Sequence, residues 1–138
     1  MKNLTQVPSS FPVSTRHLYL DKNSLKGISG EAFWNLQNLI FLNLGRNNIK
    51  HLDIGSFKNL SFLQSLYLHD NSIRSLTPGL FDGLESLTYL DLHNNKIQSI
   101  ALGGFEGLGH LTDLILDNNK ISGLLNGTFR GLDHLNKL

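Results

Sequence analysis

The sequence predicts an α/β-type solenoid: short coils stacked along one axis, a parallel β-sheet on one face and irregular or short-helical returns on the other. Three observations predict it. Asn23, Asn47, Asn71, Asn95 and Asn119 recur every 24 residues. Phe33, Phe57, Phe81, Phe105 and Phe129 keep the same spacing, as do Leu36, Leu60, Leu84, Leu108 and Leu132. Just before each asparagine, apolar and polar residues alternate, as in Leu66-Tyr67-Leu68. A fixed period of this size marks an array of copied supersecondary units, none of which buries its apolar face alone.

Aligned on the asparagines, the units run 15–38, 39–62, 63–86, 87–110 and 111–134. A sixth begins at 135 and is cut off, and residues 1–14 form a preceding flank. Each full unit reads L-x-x-L-x-L-x-x-N-x-L/I-x-x-L/I, then the phenylalanine and a further leucine. Unit three shows every column: Leu63, Leu66, Leu68, Asn71, Ile73, Leu76, Phe81 and Leu84. The first column fails only at Thr15, in the terminal unit.

The alternation at Leu66 and Leu68 is strand periodicity, so these leucines point inward and their neighbours outward. After each strand the chain must bend inside the stack, where backbone groups need partners. An asparagine supplies two donors and an acceptor, so the five asparagines are expected to form a structural ladder. The phenylalanines lie on the returns and are expected to stack into a spine. Gly55, Gly79, Gly103, Gly104 and Gly127 punctuate those returns, which argues for turns.

The composition narrows the function. The chain has 138 residues, 40% of them hydrophobic, which suffices for a core. Twelve basic and 11 acidic residues leave a net charge of +1. That balance favours neither nucleic acid nor an anionic membrane, so no nucleic-acid partner is expected. With no cysteine there is no disulfide, thiolate metal site or cysteine nucleophile. No apolar stretch approaches the roughly 20 residues of a membrane helix, and the first residues lack the apolar segment of a signal peptide. Membrane attachment is therefore expected only through missing flanking segments. No cofactor is expected.

The expected ligand-binding surface is the outward side of the sheet. Its residues are His17 and Tyr19; Phe41 and Asn43; Tyr67 and His69; Tyr89, Asp91 and His93; Asp113, Ile115 and Asp117. All three tyrosines fall on this strip. Phe41, Tyr67 and Tyr89 are expected to form an aromatic patch across adjacent strands, the composition that protein-binding surfaces enrich. Arg16, Lys22 and Arg46 lie toward its N-terminal end and Asp91, Asp113 and Asp117 toward its C-terminal end, which suits a partner with basic and aromatic elements at the latter.

The remaining motifs point to no chemistry. His69, His93 and Asp117 occupy one column, but regular stacking accounts for their spacing, so no metal is expected. No G-x-S-x-G elbow is present, and the clustered glycines fit no phosphate loop, so catalysis is not expected. Three N-x-S/T sequons begin at Asn3, Asn59 and Asn126, none of them on the strip, and mark possible glycosylation sites.

The repeat over residues 15–138 resembles the leucine-rich-repeat family. A 24-residue unit with phenylalanine ten residues after the asparagine is similar to repeats of animal extracellular proteins. Toll-like receptor ectodomains, Slit-type proteins and variable lymphocyte receptors are examples. The flank Leu4-Thr5-Gln6-Val7-Pro8-Ser9-Ser10-Phe11-Pro12 resembles the end of an N-terminal cap, although the cap cysteines of that family are lacking. The resemblance implies a horseshoe with its sheet on the concave face and a non-catalytic extracellular module that binds a protein ligand there. An innate-immune receptor ectodomain is the first expectation. A secreted matrix or adhesion scaffold of the proteoglycan or Slit type, or a variable-lymphocyte-receptor-like antigen binder, is the alternative. The chain is expected to be a fragment, less stable than the intact protein and prone to self-association.

Overall fold

The structure, a computed structural model, describes residues 3–138. Each unit contributes one three-residue strand to a parallel sheet: β1 (His17–Tyr19), β3 (Phe41–Asn43), β5 (Ser65–Tyr67), β7 (Tyr89–Asp91) and β9 (Asp113–Ile115). The strands lie in sequence order, and register matches residues 24 apart: Leu18, Leu42, Leu66, Leu90 and Leu114 form one row. Lys137 continues the sheet through a parallel bridge to Asp113. The strand is shorter than the leucine pattern: Leu44, Leu68 and Leu92 sit just beyond it, buried where the chain begins to turn inward.

The row of strand leucines points into the core, which runs continuously along the stack. On the far side Phe33, Phe57, Phe81, Phe105 and Phe129 stack ring on ring. Successive centroids lie 6.4, 6.5, 6.5 and 5.9 Å apart, with planes within 16° of parallel. The first four are fully or almost fully buried, and Phe129 is partly so.

Between sheet and spine runs the asparagine ladder. Asn71 accepts from the Ile49 N–H at 2.9 Å, and its Nδ2 donates to the Leu44 and Leu68 carbonyls at 3.0 and 3.1 Å. Asn47, Asn95 and Asn119 repeat this pattern, each accepting from the previous coil. Asn23 extends it into the flank by accepting from the Leu4 N–H at 2.9 Å, so Leu4 occupies the place that Leu25 holds one coil later. Buried backbone polar groups at every bend thereby gain partners.

The returns contain no helix among the described residues. They are strings of turns closed by bonds to the third residue back, such as Asp82 N–H to Gly79 O and Leu84 N–H to Phe81 O, both 3.3 Å. Gly79 and Gly83, at φ 81° and 90°, break any helical run. Gly83 also abuts the Lys58 backbone so closely that a Cβ would collide with it. Gly83→Ala is therefore expected to cost about 2–3 kcal/mol in urea unfolding. Gly131→Ala, at φ 91° with open space around it, is expected to cost about 1 kcal/mol, from backbone strain alone.

Two small parallel patches flank the main sheet: β2 (Gly27–Ile28) with β4 (His51–Leu52), and β6 (Ser75–Leu76) with β8 (Ser99–Ile100). They form at Ile28, Leu52, Leu76 and Ile100, the second aliphatic position after the asparagine in the first four units. A cleft lined by His51, Leu52, Ser75 and Thr77 separates the patches, so this lateral pairing is interrupted along the stack.

Candidate recognition face

The concave sheet presents two columns of outward residues. In register they are His17, Phe41, Ser65, Tyr89 and Asp113, and beside them Tyr19, Asn43, Tyr67, Asp91 and Ile115. Strand geometry explains both columns: a buried leucine at the strand centre forces its two neighbours to the opposite face.

The aromatic residues alternate between the columns and so form a zigzag. Tyr19 meets Phe41 at 5.0 Å, Phe41 meets Tyr67 at 5.2 Å, and Tyr67 meets Tyr89 at 5.1 Å, all tilted by about 40°. His17 joins its N-terminal end, 6.2 Å from Phe41. The stripe thus spans four strands, one more than Phe41, Tyr67 and Tyr89 alone. Tyr19 is 64% exposed, and the other three are half-buried against one another.

A third column follows the strands: Asp21, Gly45, His69, His93 and Asp117. The His69 ring lies directly over Gly45, where any side chain would displace it. The two histidines turn to different carboxylates. His69 Nδ1 lies 3.0 Å from Asp70, whereas His93 Nδ1 lies 2.8 Å from Asp117. Among the described residues no group of three or more His, Asp or Glu is arranged to hold a metal ion.

The fourth column, Lys22, Arg46, Asp70, Asn94 and Asn118, is left-handed throughout, with φ between 52° and 58°. This turn aims the N–H of Lys22, Arg46, Asp70 and Asn94 at a carbonyl of the next coil. Asp and Asn tolerate it better than most residues. Three of these side chains link across coils: Asn118 donates to Asn94 at 3.0 Å, and Asn94 donates to Asp70. Arg46 Nε lies 3.7 Å from the same carboxylate, so the Arg46 charge is matched locally. The sequence does not reveal this linkage, because only the shared left-handed backbone aligns these side chains.

The Asn94 amide above all, and then His69, holds the Asp70 carboxyl below its ordinary pKa. A depressed folded-state pKa adds stability above the unfolded value that is lost as pH falls through the folded one. The urea midpoint is expected to drop below about pH 4, and Asp70→Asn to flatten that acid limb. Partial burial, reinforced by Asp91, Tyr67 and Asp113, raises the Tyr89 hydroxyl pKa, so the phenol stays neutral across physiological pH.

The sequons lie elsewhere. Asn3 accepts from the Ser24 hydroxyl at 2.7 Å, Asn59 donates to the Trp34 carbonyl at 3.0 Å, and Asn126 is exposed on a return. No helix of the described residues is long and apolar enough to cross a membrane.

Comparison with known proteins places these features in a family. A family model described as leucine rich repeat matches residues 3–49, 13–73, 42–97 and 86–138. The chain is similar to the insulin-like growth factor-binding protein complex acid labile subunit of Mus musculus, 58% identical over 43 residues, and of Homo sapiens, 46% identical over 43 residues. Each match covers 31% of this chain and 7% of that protein. A solved chain from the crystal structure of the TLR13-ssRNA13 complex superimposes with a TM-score of 0.86 and 36% identity, covering 99% of this chain and 19% of that one. The chain thus spans a small part of the length of each relative. The 24-residue period, the asparagine ladder, the parallel concave sheet and the four family matches together make this chain a member of the leucine-rich-repeat family.

Proposed function

We propose that the chain is a non-catalytic recognition module of an extracellular protein and that it binds a protein ligand across the concave sheet. The observation that carries this reading is the aromatic zigzag Tyr19–Phe41–Tyr67–Tyr89, solvent-facing on an open sheet. The asparagine and phenylalanine columns serve packing and leave this stripe without a structural task. Exposed contiguous aromatic surface marks interaction sites, and tyrosine supplies large contact area at low entropic cost. Similarity to the TLR13 chain and to the acid labile subunit supports a receptor ectodomain or a secreted complex-forming protein. An innate-immune receptor segment is the first form of the proposal, and a matrix scaffold or variable-lymphocyte-receptor-like binder the second. Asn3, Asn59 and Asn126 are the proposed glycan sites, all off the concave face.

The similarity to a chain solved with an RNA brings in a second reading, binding of single-stranded RNA by stacking on the stripe. Two aspartates beside the stripe, Asp91 and Asp113, oppose it by repelling phosphates. A photo-crosslinking side chain at Tyr67, displayed to a cell-surface and serum protein fraction, is expected to capture a discrete protein. The same group at Trp34, exposed on a return, is expected to capture none. Equal capture at both positions, or crosslinks to RNA alone, would overturn the proposal.

A further inference from the structure

The stripe is chemically polar from end to end, and that polarity specifies what lies on it. Its C-terminal ring, Tyr89, stands in register with Asp113 and two residues before Asp91 on its own strand. Register and strand alternation put both carboxylates on the same face as the ring, and both help burial to raise the Tyr89 hydroxyl pKa. Neither has a cationic partner: among the described residues the ion pairs are Arg46–Asp70, His69–Asp70 and His93–Asp117. Lys137 is the next residue of the column beyond Asp113, yet it forms no ion pair with it. At the opposite end, Arg46 is already matched by Asp70.

Resting on the concave-face reading, we infer that the occupant is an extended segment of a protein partner carrying an arginine or lysine. Its cation lies on the Tyr89 face between Asp91 and Asp113, and its apolar residues cover Phe41 and Tyr67. The chemistry is complementary on both counts. A ring face attracts a cation, and two unpaired carboxylates beside it strengthen that attraction where an approaching partner excludes water. An acidic or phosphate-bearing segment meets repulsion at the same place. The charge step along the stripe also fixes the segment's direction, because only its basic end fits beside Tyr89.

The test uses the whole chain and a defined probe, an acetylated, amidated pentapeptide with one arginine and two phenylalanines. It is followed by NMR at the Tyr89 ring and the Asp113 carboxyl. The arginine peptide is expected to shift both signals, and glutamate in place of arginine to abolish the shifts. The double variant D91N/D113N is expected to weaken binding at least tenfold. That variant keeps the fold: the Asp91 oxygen accepts from the His93 N–H at 3.0 Å, and Asn43 makes the equivalent bond to Gly45 at 2.9 Å with an amide oxygen. Undiminished binding by D91N/D113N, no shift at Tyr89, or tighter binding of a single-stranded RNA oligonucleotide would overturn the inference. Protein capture at Tyr67 together with failure of the arginine peptide would sink the cation while leaving the concave-face proposal standing.

Discussion

Replacement of Phe81 by alanine is expected to destabilise the chain by about 4 kcal/mol, read as a lowered urea midpoint. Phe81 is fully buried and sits 6.5 Å from both Phe57 and Phe105 in the middle of the spine. Its site has little freedom to collapse. The coils on either side are held at fixed spacing by the sheet, the asparagine ladder and turn bonds, so the deleted ring leaves a cavity. The array is quasi-one-dimensional, and a defect at its centre also weakens coupling between the two halves. A broadened transition is therefore expected beside the shifted midpoint. Phe129→Ala removes a ring that is only partly buried and stacked, in the described spine, on Phe105 alone, and is expected to cost less than half as much. Equal losses at both positions would mean that the spine is not the continuous packing element its geometry implies.

The fold was legible because each coil repeats the same physical demands in the same order. Leu66 alternates with polar neighbours, so its direction follows from strand geometry, and the identity of the outward residues follows with it. Their binding role is a separate matter, and it stands as the proposal above. Asn71 was legible as a backbone partner because a buried bend needs donors and an acceptor together. The lateral patches were not legible. Gly27–Ile28 and Ser75–Leu76 are two-residue segments, too short to show any alternation. For the returns the sequence specifies only irregular or short-helical structure, since their glycines forbid long helices without saying which turns replace them. Nor does the sequence show that His69 needs Gly45 beneath it, or that Asp70, Asn94 and Asn118 touch. Those relations run between coils, 24 residues apart, and depend on backbone direction at each residue.

Asn71→Ala is expected to cost about 3–4 kcal/mol, nearly as much as Phe81→Ala, although asparagine is polar and small. The ladder's hydrogen bonds explain the size. The Leu44 carbonyl also accepts from Asn47, and the Leu68 carbonyl also accepts from Asn95, so both keep one partner in the variant. The Ile49 N–H keeps none, and it lies in a fully buried residue. One orphaned buried donor, lost bonds and a small cavity add to the stated cost. Asn23→Ala is the internal control: its partner Leu4 is half-buried, so water replaces the lost acceptor and about 1 kcal/mol is expected. Asn71→Asp separates the two functions of the side chain. It retains an acceptor for Ile49 but turns a carboxylate toward the Leu44 and Leu68 carbonyls. Burial and those carbonyls favour the protonated form, which raises the folded-state pKa of the introduced carboxyl above its unfolded value. Stability of this variant should therefore improve relative to the parent as pH falls from 7 toward about 4, the reverse of the acid limb expected from Asp70. A pH-independent penalty would show that the amide donors contribute little and that the Ile49 bond alone accounts for the asparagine.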